Sequence, residues 1–277
     1  MVTPRIFIAL PLFCMFGLVQ GAEDEEAHPA QSSSEFENTL KLDLNKLISG
    51  GFQDGLASGS LGASSAEDYK VALQKVLKEW NSLANEPGDA KIKYDVILQA
   101  GHYKRAKGNT GASGKEVSEQ QLAAYLVKGV SDILKKDKKL KILVLSADEY
   151  NPGLKSRIFL AVHADGSVKQ CSTGPSLSYQ KSSSTLAMHA IGWGLSQALG
   201  YKYEQFRKDG FTVDAAHYYM YSKVDAPVMK GLLEVGEITC ATMEERLIVG
   251  ADGIASNVAR AITFVLDSSP NDSIAKN

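Results

Sequence analysis

Four side chains stand out by type and position: His102, Glu119, His163 and Glu234. The two histidines each close a short apolar run, in Leu98-Gln99-Ala100-Gly101-His102 and in Phe159-Leu160-Ala161-Val162-His163. Glu234 lies in Gly231-Leu232-Leu233-Glu234-Val235-Gly236, where an acid among apolar residues is costly to bury unless it is paired or functional. Glu119 follows the glycine-rich stretch 108–114 and opens a helical pattern. Two imidazoles and one carboxylate form a ligand set for catalytic zinc, because three protein ligands leave a fourth position for water and the metal brings that water's pKa to about 7. A further carboxylate can take the water's proton and deliver it to a leaving group. Glu116 competes with Glu119 for its place, and Glu237 with Glu234.

Side chains so far apart in the chain need a scaffold that gathers them. From residue 94 onward, strand-like and helix-like patterns alternate. Residues 96–100, 140–145, 158–162 and 228–235 read as strands, the last interrupted by Lys230 and Gly231. Leu122, Leu126, Val130, Ile133 and Leu134 recur at helical spacing, as do residues 186–199 and then Ile254, Val258, Ala261 and Val265. Alternation of this kind predicts an α/β fold with a twisted, mostly parallel sheet flanked by helices on both faces. Functional groups then gather outside the carboxyl ends of the strands. His102 and His163 follow two such strands, Glu234 is near the end of a third, and Glu119 can turn back to the same edge.

A chain of 277 residues, 44% hydrophobic and 22% charged, suits one sizeable core. The net charge of −2 argues against a nucleic-acid partner. Arg5, the uncharged run 6–19 and the small residues before Ala22 read as an export signal. No later apolar run is long enough to cross a bilayer, so no stable membrane insertion is expected after signal cleavage. Cys171 and Cys240 would then be the remaining thiols, either paired in an oxidising compartment or free. Ahead of the alternating region, Tyr69, Leu73, Val76, Leu77 and Trp80 mark an amphipathic helix, with Pro87-Gly88 as its stop, and residues 40–48 a shorter one.

The stretch from about 94 to 267 resembles the zinc-dependent N-acetylmuramoyl-L-alanine amidases of the third type, which are cell-wall hydrolases. The resemblance is carried by Ile97 to His102, by Gly111-Ala112-Ser113-Gly114 with Glu119, by Arg157, by His163-Ala164-Asp165, and by Pro227 leading into Leu233-Glu234-Val235-Gly236. It implies a sheet flanked by helices like that of zinc carboxypeptidases. It also implies Zn2+ held by His102, Glu119 and His163, with Glu234 as catalytic acid/base, and a peptidoglycan or muropeptide substrate cut between N-acetylmuramic acid and L-alanine. The chain departs from the family pattern in three places. Gln99-Ala100 replaces an acid and a proline, Tyr103-Lys104-Arg105 replaces glycines, and Thr239-Cys240 stands where members often have Asn. The bulky basic residues bear on substrate fit.

The organisation expected from these readings is a signal peptide at 1–21, a flexible acidic and Gly/Ser-rich leader at 22–64 and a helical extension at 65–90. A catalytic domain at 91–268 and a tail at 269–277 follow. The expected location is the periplasm, with secretion to the cell wall as the alternative. The extension offers a surface for a regulatory protein partner. Two other functions stay open: a catalytically degenerate fold that binds wall material or a partner, and a zinc hydrolase of another exported peptide or amide. His28, His189 and His217 have no spacing argument for a role. The cluster Tyr218-Tyr219-Met220-Tyr221 reads equally as a sugar-stacking surface or a half-buried strand, and the serine-rich stretch 172–184 as a loop near the cleft.

Overall fold

Residues 65–180, 182–200 and 217–269 are described by a computed structural model. The expected signal peptide, the leader, the helix at 40–48, His28 and most of the tail lie outside the described residues. The longest apolar runs become central strands, since a strand covered on both faces needs apolar side chains on both. Strand β1 (Lys93–Ala100) and strand β3 (Leu154–Asp165) run parallel, with Ile97 opposite Phe159 and Ala100 opposite Val162. Strand β2 (Ile142–Leu145) flanks β1, and β6 (Met229–Glu237) flanks β3, both in parallel. The short β5 (Val224–Asp225) pairs with the start of β3. Strand β4 (Ser176–Tyr179) closes the far edge antiparallel to β6, giving the order β2-β1-β3-β6-β4.

Helices α2 (Glu119–Leu134), α3 (Thr185–Leu199) and α5 (Ala251–Ser268) cover one face of this sheet. There they bury Val96, Leu98, Leu160, Val162 and Leu233. Ile97, Phe159, Ala161 and Leu232 point to the other face, where Met220 and Tyr221 of a 3-10 turn, Tyr219–Ser222, pack on them. Helix α4 (Ala241–Val249) follows β6 directly. Helix α1 (Ala66–Glu79) begins at an N-cap, Ser65, whose hydroxyl accepts from the Asp68 N–H, and it packs on α4 and α2. Among the described residues no single helix is long and apolar enough to cross a membrane.

The alternating strands and helices match the expectation, and the sheet is mostly parallel; among the described residues the α-helices pack on one face and the 3-10 turn Tyr219–Ser222 on the other. Four details differ. Helix α1 gives way at Trp80 to a 3-10 turn, well before Pro87. The serine-rich stretch is not all loop: β4 forms because its backbone finds partners along the open edge of β6, which propensity alone does not reveal. Tyr219 to Tyr221 form a 3-10 turn rather than a strand. Helix α4, unmarked in the sequence reading, seats Leu247 and Ile248 in the core.

Candidate metal centre

His102, Glu119 and His163 arrive at one place by three routes. His102 follows β1 in a tight turn, with φ of 54°. That left-handed conformation is uncommon outside glycine and is held where the surrounding structure demands it. Glu119 is the first residue of α2. Ser118 caps that helix by accepting from the Gln121 N–H, and the Gln121 side chain accepts from the Ser118 N–H, which fixes the helix start in a capping box. His163 lies near the end of β3, one strand over from β1.

One ligand atom from each of the three lies within 4.8 Å of the others. Glu119 Oε1 is 2.9 Å from His163 Nδ1 and 3.5 Å from His102 Nε2. His102 Nδ1 donates to the carbonyl oxygen of Asn109 at 2.8 Å. A carbonyl only accepts, so this nitrogen carries the proton and Nε2 keeps its lone pair for the centre. Glu119 is held by the Ala112 N–H on Oε2 and the Ala164 N–H on Oε1. Its neighbourhood leaves little room. A Cβ on Gly111, whose φ is +90°, would fall 2.5 Å from Glu119 Oε2 and 3.0 Å from His102 Cγ.

Burial and mutual pairing shape the charges of these groups. Burial is the main influence pushing the His102 pKa down, and it outweighs the Glu119 carboxylate that favours the charged ring. Burial pushes the Glu119 pKa up, but the hydrogen bond and charge of His163, then the charge of His102, bring it below the ordinary carboxylate value. A neutral imidazole and an ionised carboxylate are the forms that bind metal. Two nitrogens and one oxygen gathered this closely are a donor set that would suit a divalent ion such as zinc, with a further position for water or substrate.

The open side faces a cleft of about 500 Å³. Asn109, Gly111 and Ala112 form one wall, and Asp165, Gly166, Ser167 and Val168 the other, with Glu234 and Thr239 also lining it. Glu234 is the register partner of His163 across β3 and β6, and it stands outside the three-ligand cluster. Glu116 turns elsewhere: it pairs with Lys115 at 3.2 Å and lines a separate hollow with Ser65 and Tyr69. Glu237 is fully buried and committed to other bonds. Its carboxylate accepts from the N–H groups of Cys171, Ser172 and Thr173 and from the hydroxyls of Thr173 and Thr239.

Tyr103, Lys104 and Arg105, just past His102, are anchored outside the cleft lining. Tyr103 is buried edge-on against Trp80, with ring centroids 6.1 Å apart. Lys104 donates to Asn85, and Arg105 pairs with Asp148 at 3.2 Å. Arg157 is buried and donates to the carbonyls of Leu266 and Ser269, holding the end of α5. His189 is buried within α3, and His217 is exposed just before the tyrosine cluster. Cys171 and Cys240, left open by the sequence, form a disulfide. A third buried acid has no place in the sequence analysis. Glu244 of α4 accepts from the N–H groups of Lys115, Glu116 and Val117, and so fixes the loop leading to Glu119. The only sequence signal for it was an acid one turn into a helix.

Solved N-acetylmuramoyl-L-alanine amidases are similar to this chain. The catalytic domain of CwlV from Bacillus (Paenibacillus) polymyxa var. colistinus is 22% identical, with a TM-score of 0.47 over 64% of this chain and 99% of that one. A putative amidase from Neisseria meningitidis is 20% identical, with a TM-score of 0.48 over 63% and 97%. AmiC2 of Nostoc punctiforme is 18% identical, with a TM-score of 0.44 over 64% and 97%. No protein-family model matches the chain, and no curated protein does. With every one of these TM-scores below 0.5, the chemistry assigned to the centre rests on its own geometry.

Proposed function

We propose that the protein is an exported zinc amidase that hydrolyses the amide between N-acetylmuramic acid and L-alanine in peptidoglycan. The observation that carries the hydrolase reading is the convergence of His102 Nε2, Glu119 and His163 Nδ1 at the base of an open cleft that Glu234 also lines. Peptidoglycan as substrate comes from the family resemblance of the motifs. In this reading His102, Glu119 and His163 hold Zn2+, which when bound acidifies water and polarises an amide carbonyl. Glu234 takes a proton from the attacking water. Water oxygen adds to the lactyl carbonyl carbon, the C–N bond breaks, and Glu234 returns the proton to the departing alanine amine. Asn109 keeps His102 in the tautomer that presents Nε2, and the N–H groups of Ala112 and Ala164 keep the Glu119 carboxylate aimed.

The Cys171–Cys240 disulfide supports an exported location, since such bonds persist in oxidising compartments. The periplasm is the proposed compartment, and residues 65–90 the proposed seat of a regulatory protein partner. Digestion of purified sacculi, with and without chelator, tests the proposal. The expected products are free stem peptides beginning with L-alanine, lost on chelation and restored by zinc. Zinc uptake without any released peptide would favour a binding protein or a different amide substrate.

A further inference from the structure

His163 has a second nitrogen that the metal reading leaves unused. His163 Nε2 lies 3.3 Å from the hydroxyl of Tyr218, and that hydroxyl lies 2.9 Å from Gln99 Oε1. Gln99 is fully buried in β1. Its side-chain nitrogen meets the backbone carbonyls of Ser146 at 3.0 Å and Ala147 at 3.3 Å, and the hydroxyl of Tyr219 at 3.1 Å.

The direction of every bond in this chain follows from its inner end. Carbonyl oxygens only accept, so the Gln99 atom facing Ser146 and Ala147 is the NH2. The Gln99 oxygen therefore faces Tyr218, and because it too only accepts, Tyr218 must donate its O–H there. What Tyr218 can offer His163 is then a lone pair. His163 Nε2 must carry a proton to meet it, so Nδ1, whose proton goes to Glu119 Oε1 in the metal-free centre, is the nitrogen that a metal would take.

We propose that Gln99 and Tyr218 are positioning residues that present His163 Nδ1 to the metal by holding the proton on Nε2. This rests on the metal reading of the three-ligand centre. It gives Gln99, a departure from the family pattern, a task in this chain. It also assigns Tyr218 neither to sugar stacking nor to a strand, but to ligand orientation. Groups that fix a metal-bound histidine from its far side are worth about 10–100-fold in affinity.

Zinc affinity, measured by competition against a chromophoric chelator, tests this in wild type, Tyr218→Phe, Gln99→Met and Tyr221→Phe. The last removes a hydroxyl that bonds Ser178 and lies outside the chain. Tyr218→Phe and Gln99→Met should each bind zinc at least tenfold more weakly, and Tyr221→Phe within twofold of wild type. In the zinc-loaded protein, nitrogen-resolved NMR should show a slowly exchanging His163 Nε2 proton, with its protection lost in Tyr218→Phe. Wild type that binds zinc while Tyr218→Phe matches it within twofold, or zinc on His163 Nε2, overturns the positioning role alone. Wild type that takes up no zinc overturns the metal reading and this proposal together. If either variant fails to fold by circular dichroism, the wild-type NMR signal still decides which nitrogen holds the proton.

Discussion

Glu234 stands directly opposite His163 in the parallel ladder between β3 and β6. Register partners in adjacent strands project to the same side of the sheet, so the acid and the ligand share one edge of the cleft. Glu234→Gln should therefore leave zinc binding within about threefold of wild type and lower turnover by roughly 10²–10⁴-fold. Glu119→Gln should lose zinc, and Glu116→Gln should not. Metal content by atomic spectroscopy beside product release separates the three, and full turnover in Glu234→Gln would remove the acid/base role.

Gly111 gives a steric test of the centre. A methyl group there meets Glu119 Oε2 and the His102 ring, and φ of +90° strains any residue with a Cβ. Gly111→Ala should weaken zinc binding at least tenfold and destabilise the fold by more than about 1 kcal/mol. Chelator competition and thermal unfolding measure the two effects, and Gly108→Ala, at a similar φ of +86° but with open space around it, should share the backbone strain and weaken zinc binding less than Gly111→Ala.

The disulfide closes a long loop, since Cys171 and Cys240 are 69 residues apart. On a chain-entropy account, cross-linking at that separation stabilises the fold by about 4 kcal/mol, with measured values usually about 2–5 kcal/mol. Replacing both cysteines by serine should lower the urea midpoint accordingly. The same shift should follow reduction of wild type and be absent when reductant is added to the double variant.

Glu237 makes stability depend on acid. Burial raises its pKa, but the hydrogen bonds from Thr173, Thr239 and Cys171 bring it below the ordinary 4.5. A carboxyl depressed in the folded state contributes its stability above the unfolded pKa and loses it as pH falls through the folded one. Urea midpoints for wild type should thus decline as pH falls below about 4.5. The difference between wild type and Glu237→Gln should be largest near neutral pH and shrink in acid. A difference that stays constant across that range would show that the carboxylate's charge is not what stabilises the loop.

The residues that face the centre were legible because each sits where an element begins or ends: His102 after β1, His163 at the end of β3, Glu119 at the start of α2. Strand ends and helix starts leave traces in hydropathy and in capping residues such as Ser118. The supporting residues leave no such trace. Gln99 reads as one polar residue in an apolar run, and its partner Tyr218 is 119 residues away. Glu234 and Glu237 could not be told apart by spacing. Only the backbone amides gathered around Glu237 reveal that it is structural. The pairing of Cys171 with Cys240 and the edge position of β4 also depend on contacts that exist only once the sheet has formed.

Glu237 and Glu244 lie on either side of Cys240, on the short passage from the end of β6 into α4. Glu237 and the disulfide grip the 171–173 loop beyond one wall of the cleft, and Glu244 grips residues 115–117 beyond the other. The two walls also meet, because Gly166 lies against Ala112. Loops next to both walls are thus tied to one short passage of chain. Loss of either carboxylate would free a loop that adjoins the cleft, and loss of Glu244 would loosen the approach to Glu119.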